Sequence, residues 1–158
     1  MIRHEDRASS RVDLLLRHPD AMRDLQKHPE HIATAVEEFL RMESSNQLGN
    51  RQAATDSRIG DLAMPAGTSV HLGLGAANRD PAQFAEPDRL DIRRQPNRHL
   101  AFGHGIHTCA GNSLARMEAQ VGIGKLLARF ESIERAGEYA RGGRARFRGF
   151  SRYPVAVK

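Results

Sequence analysis

The chain opens with helical periodicity interrupted by prolines. Val12, Leu14, Leu15 and Leu16 close one helical segment. His18-Pro19 ends it, because a residue before proline is pushed out of helical geometry. Pro19 opens a second helix with its fixed φ, and Ala21, Met22 and Leu25 fall at helical spacing. After His28-Pro29 a third helix is expected over about 30–42, with Ile32, Val36, Phe39 and Leu40 on one face. Over 51–74 the pattern shortens to β segments, with Gly60 inside the first turn and Pro65-Ala66-Gly67 as a tight turn. Residues 75–108 have no sustained period and are rich in Asn, Asp, Arg and Pro. A stretch that long inside a domain is usually functional or disordered.

The longest helical pattern runs over 109–130, where Leu114, Met117, Val121, Leu126, Leu127 and Phe130 form an apolar stripe. Gly122 and Gly124 weaken its middle by roughly 1 kcal/mol each against Ala. After Gly137 a loop and hairpin are expected, with Arg144, Arg146 and Arg148 alternating with Ala145, Phe147 and Gly149. The pattern predicts a mainly α chain with small β-sheets. Residues 1–10 read as an irregular N-terminus and residues 11–158 as one domain, with no internal repeat.

Composition narrows the classes. Only 39% of the 158 residues are hydrophobic, 5% are aromatic and there is no Trp, a lean supply for a self-sufficient core. One cysteine excludes an internal disulfide. No apolar run approaches the ~20 residues of a membrane span, and the N-terminal MIRHEDRASSR lacks a signal-peptide core. A cytoplasmic protein with no membrane partner is expected. The net charge of +5 is concentrated at the C-terminal end, where Arg135, Arg141, Arg144, Arg146, Arg148, Arg152 and Lys158 face only Glu138. No recognition helix or RNA-binding signature accompanies these cations, so a solvated strand face is expected rather than a nucleic-acid site.

Candidate chemistry centres on Phe102-Gly103-His104-Gly105-Ile106-His107-Thr108-Cys109-Ala110-Gly111. A cysteine just before a long helix lies near backbone N–H groups without helical partners, a setting that favours thiolate. Glycines at 103, 105 and 111 let the backbone bend sharply and approach a flat ligand. Phe102 can lie against such a ligand and shield the sulfur from water.

This decapeptide resembles the haem-binding signature of the cytochrome P-450 family, in which Phe, Gly, His or Arg, Cys and Gly recur at these spacings. The resemblance runs from about Val12 to the C-terminus and is to soluble bacterial members. It implies the C-terminal part of that fold, with haem b (iron protoporphyrin IX) as cofactor and Cys109 as axial iron ligand. Glu38-Phe39-Leu40-Arg41 is similar to the family's Glu-x-x-Arg motif. The implied third member of that buried charge cluster is Arg89, in Pro87-Asp88-Arg89-Leu90. Arg51, His99 and His107 resemble residues that contact haem propionates. Phe102, Gly103 and Gly111 complete the implied cofactor-binding set.

The implied activity is monooxygenation of a small organic substrate with O₂. Its electrons come from NAD(P)H through a ferredoxin- or flavodoxin-type donor. The family's oxygen-activating acid–alcohol pair should precede Leu14-Leu15-Leu16, and MIRHEDRASSR holds no such pair, so no catalytic residue is assigned. The expectation is a truncated haem-binding domain. Ser45-Asn46 also replaces the family's Pro and apolar residue, and Leu90 its usual aromatic. Two alternatives stand beside this reading. One is a haem-free zinc site built from His104, His107 and Cys109 with His99 nearby. The other is a non-catalytic fragment that binds haem or a partner protein, its basic tail attracting an acidic surface.

Overall fold

The computed structural model describes residues 5–158, with side chains from Ser9 onward. Helix α1 spans Glu5–Arg17, α2 Pro19–Lys27 and α3 Ile32–Met42, with a 3₁₀ turn at Pro29–His31 between the last two. Pro19 stands at the start of α2, where its missing N–H costs nothing, and His28 caps the other end just before Pro29. The expected irregular segment 1–10 is corrected in part. Residues 1–4 lie outside the described residues, whereas helix α1 already begins at Glu5. Nothing in the polarity of that stretch marks a helix. Tertiary packing decides it, since Ser10, Arg11 and Asp13 are buried together with Leu14 and Leu15.

The core joins α1, α2 and α3 to helix α5, which spans Asn112–Arg129. Leu14, Leu15, Leu25, Val36, Phe39, Ile123 and Leu127 form its centre, with Ile92 from the irregular segment and Ile133 closing one side. The buried face of α5 is Ala115, Ala119, Ile123 and Leu127. Of the expected stripe, Leu127 is buried and Leu126 and Phe130 pack against the core, whereas Leu114, Met117 and Val121 stand 51%, 56% and 49% exposed. The correction has a simple cause: alanines let α5 approach the other helices closely, so the packed face carries small residues. The exposed side of the helix thus carries these apolar residues beside Glu118 and Lys125.

Among the described residues, four two-stranded antiparallel sheets decorate this core. Strand β1 (Leu48–Gln52) pairs with β4 (Ser69–Gly73), Asn50 opposite His71. Between them, β2 (Ser57–Ile59) and β3 (Leu62–Met64) form a hairpin. Gly60 sits in its turn at φ +54°, a left-handed conformation that glycine adopts without strain. A short helix α4, Leu74–Ala77, follows β4.

Near the C-terminus, β5 (Ile133–Arg135) pairs with β8 (Val155–Val157), and β6 (Ala140–Arg141) with β7 (Phe150–Arg152). The alternating segment 144–149 is not a strand, which corrects the expected solvated strand face. Its residues are drawn into other contacts: Phe147 bridges Asn46, and Arg146 O accepts from Gln47 N–H at 2.9 Å. Arg148 pairs with the buried Glu43 at 3.2 Å, and Tyr153 donates its hydroxyl to Asp13 at 2.8 Å.

Phe39 is fully buried among α1, α3 and α5, so Phe39→Ala is expected to destabilise the chain by about 3–5 kcal/mol. Urea unfolding followed by far-UV circular dichroism measures this. A loss under about 1 kcal/mol would contradict the core as described.

Candidate haem-binding site

The irregular segment after α4 lacks the ladder bonds that would order it, and α3 supplies the substitute. Glu38 and Arg41 are one helical turn apart and both completely buried. Arg41 grips Glu38 with Nε and Nη2, each at 2.8 Å. Its Nη1 donates to Asn78 O and Pro87 O at 2.8 Å, and Nη2 to Arg89 O at 3.3 Å. Glu38 also accepts from Asp91 N–H at 3.0 Å and from Asn97 Nδ2 at 3.0 Å. Burial pushes the Glu38 carboxyl up, but hydrogen bonds from Arg41 and the Asp91 amide, with the charges of Arg41 and Arg94, outweigh this and lower it.

The third charge of this cluster is Arg94, not Arg89. Arg94 is nearly buried and places Nε 3.2 Å from the Glu38 carboxylate. Arg89 is 59% exposed, and its guanidinium pairs with Glu86 and Asp91. Arg89 contributes only its carbonyl. The two arginines lie in one aperiodic stretch, where spacing gives no facing rule, and folding decides which of them turns inward.

Downstream, Asn78 Oδ1 accepts Leu100 N–H at 2.7 Å and so fixes the approach to the cysteine loop. Gly103 (φ +71°) and Gly105 (φ +69°) adopt left-handed backbone there. Cys109 N–H donates to Phe102 O at 2.9 Å and closes the loop. Helix α5 starts three residues beyond the sulfur, at Asn112, whose side-chain amide donates to Cys109 O at 2.6 Å. Gly111 has an ordinary φ of −89°, and an added Cβ would meet no protein atom within 4 Å.

Beside this loop lies an open cavity of about 430 Å³. Arg51, Phe102, Gly103, His107 and Cys109 all line it. Leu40, Leu72, Leu74 and Leu100 add apolar wall, and Arg11, His104 and Arg146 add positive or donor groups. His99 and Gly111 are not among the lining residues. The His99 ring is 2% exposed and lies 3.1 Å from Glu37 through Nε2, while Nδ1 accepts Ala101 N–H at 3.2 Å. Both ring nitrogens are thus engaged away from the cavity, which corrects its expected role as a propionate contact.

Sequence reasoning did not assign Arg11 or Arg146 to the site. In the sequence Arg146 is one cation of a basic stretch and Arg11 one charge of the polar N-terminal segment. Among the described residues no group of three or more His, Cys, Asp or Glu side chains could hold a metal ion, so the zinc alternative gains no support. Among the same residues no helix is long and apolar enough to cross a membrane.

The donor set fits a flat, mainly apolar macrocycle carrying carboxylates. Apolar walls suit the ring, cationic and imidazole groups suit acidic side arms, and a thiol stands on the same wall. Comparison with known proteins agrees. The sequence profile of the family described as Cytochrome P450 matches residues 7–138. The biotin biosynthesis cytochrome P450 of Bacillus subtilis (strain 168) is 50% identical over 128 residues, 81% of this chain and 32% of that protein. Vitamin D(3) 25-hydroxylase of Pseudonocardia autotrophica is 44% identical over 147 residues, 90% of this chain and 36% of that protein. Among solved structures, P450BioI in complex with hexadec-9Z-enoic acid ligated acyl carrier protein superposes with a TM-score of 0.94 at 45% identity. That match covers 98% of this chain and 41% of the other.

A helical haem-thiolate architecture with small antiparallel sheets is therefore the class. The chain belongs to the cytochrome P450 family, whose cofactor is haem b. It spans about a third of the length of the curated relatives it matches.

Two tests follow from the charge clusters. Arg94→Leu leaves buried Glu38 short of a cation and is expected to cost about 3 kcal/mol, whereas Arg89→Leu is expected to stay within about 0.5 kcal/mol. Denaturant melts showing equal effects would restore Arg89 to the cluster. Glu37 supplies a pH test. Burial raises its carboxyl, but hydrogen bonds from His99 and Arg116 and their charges hold it down at about 2, against an ordinary 4.5. Its stabilising effect is complete above 4.5 and is lost as pH falls towards about 2. The stability gap between the native chain and Glu37→Gln should therefore close over that window in urea melts. A gap unchanged down to about pH 2 would contradict the pairing.

Proposed function

We propose that residues 11–158 are the haem-binding unit of a cytoplasmic haem-thiolate monooxygenase acting on a small organic substrate. One observation carries this reading: Cys109 stands in the wall of an apolar cavity that also presents Arg51 and His107. Bound haem supplies the oxygen-activating chemistry, with thiolate ligation favouring O–O cleavage. This chain's residues do the holding. Cys109 would supply the sulfur that holds the iron, a soft donor suited to it. Arg51 and His107 pair with propionates, with Arg11 and Arg146 as further cations on the same cavity. Phe102, whose carbonyl accepts the Cys109 amide, keeps water from the sulfur. The electron donor would be a ferredoxin- or flavodoxin-type protein drawing on NAD(P)H, and the substrate a small organic molecule.

Haem titration of the purified chain tests the reading. The expected result is stoichiometric uptake and a thiolate-type band in the ferrous CO complex, lost in Cys109→Ala. Arg51→Ala is expected to weaken uptake by roughly tenfold, the loss of one charge-assisted contact. Equal uptake with an unchanged band in Cys109→Ala would overturn the assignment. Turnover with a surrogate peroxide separates a catalytic chain from one that only holds haem.

A further inference from the structure

Glu37 and Glu38 are neighbours in α3 but serve different parts of the chain. Glu38 is committed to segment 78–97, as described above. Glu37 meets Arg116 through Oε1 at 2.7 Å and Oε2 at 3.0 Å, and His99 through Oε2 at 3.1 Å. His99 stands ten positions before Cys109 and Arg116 seven after it. One carboxylate therefore touches both stems of the cysteine loop.

We infer that Glu37, Arg116 and His99 form a positioning staple that closes residues 99–116 into a braced ring and sets the place of Cys109 in the cavity wall. The inference rests on reading Cys109 as the haem ligand. The brace reaches the cysteine by an unbroken polar route. Arg116 Nη1 donates to Asn112 Oδ1 at 2.8 Å, and Asn112 Nδ2 donates to Cys109 O at 2.6 Å. A second route is aromatic. The Arg116 guanidinium lies 4.7 Å from the centre of the Phe102 ring, and the His99 ring packs 6.2 Å from the same ring. Phe102 O in turn accepts Cys109 N–H at 2.9 Å. Both peptide polar groups of Cys109 are thus held by residues that the staple orders.

Charge makes the brace directional. Arg116 presents two N–H groups in a planar fork to one carboxylate, a geometry that lysine cannot reproduce. Glu37 touches neither the cavity nor the sulfur, so it is a positioning residue. Its removal should free the loop without deleting any group that lines the cavity.

Hydrogen exchange on the haem-free chain, paired with the ferrous CO spectrum after haem loading, tests the staple in Glu37→Gln. The expected result is exchange faster by on the order of tenfold for amides 102–112, with helices α1 to α3 unchanged. A drop in the thiolate-type band in favour of the protonated form should accompany it. Unchanged exchange in the loop, or an undiminished band, would overturn the staple. If Glu37→Gln loses its helical signal, the same readings on Arg116→Lys decide, since that variant keeps the cation and loses the guanidinium that joins Glu37 to Asn112. Cys109→Ala read alongside keeps the two ideas apart. If it retains the native band, the ligand assignment has failed; if the band is lost there but persists in Glu37→Gln, the staple alone has failed.

Discussion

A fully buried carboxylate governs how this chain presents its cysteine. Placing Glu38 in the core is costly unless its charge is matched and its lone pairs are filled. Arg41 matches it in a two-point grip, Arg94 adds a second cation, and the Asp91 amide and Asn97 side chain occupy what remains. Because three of those partners belong to an aperiodic segment, satisfying Glu38 and ordering that segment are one event. Arg41 extends the effect by collecting carbonyls from Asn78, Pro87 and Arg89. A stretch with no helix or strand of its own thereby acquires a single path through space. That path delivers Phe102 and Cys109 to the cavity.

The helices play a subordinate but necessary part. Helix α3 buries its apolar residues in the core while Glu37 and Glu38 reach different partners, so one element packs the core and anchors the loops at once. Helix α5 meets it through alanines, which brings Arg116 within reach of Glu37. A bulkier packed face would hold the helices apart and break that contact. On the outer side of α5, Leu114, Met117 and Val121 stand exposed beside Glu118 and Lys125.

The basic C-terminal stretch shows how charge counts mislead when read without contacts. Several of its arginines are engaged rather than freely solvated. Arg148 neutralises buried Glu43, Arg141 lies over the Phe150 ring and Arg135 over the Tyr139 ring. Arg146 lines the cavity, where a cation can meet an acidic arm of a bound cofactor. Local excess charge here reflects work within the fold.

Much of the fold was legible beforehand wherever a local rule applied. Prolines and apolar spacing marked α2 and α3, glycine turns marked the small sheets, and the cysteine loop announced itself by glycine placement and a single thiol. Residues in the cavity wall that sit in short motifs, such as Arg51, Phe102 and His107, were legible for the same reason. What escaped depended on distance along the chain. Arg94 and Arg89 lie in one aperiodic stretch, and no spacing rule says which turns towards an acid more than fifty residues away. His99 looks like a cofactor contact until Glu37, 62 positions distant, claims its ring. In α5 the expected stripe holds at Leu126, Leu127 and Phe130 but not at Leu114, Met117 and Val121, because close helix approach selects the small Ala115 and Ala119 there. Local sequence determined most of the helices and turns and marked the single cysteine within its glycine loop. Only tertiary packing decided which polar groups share a buried site, because pairing buried charges is a property of the whole core.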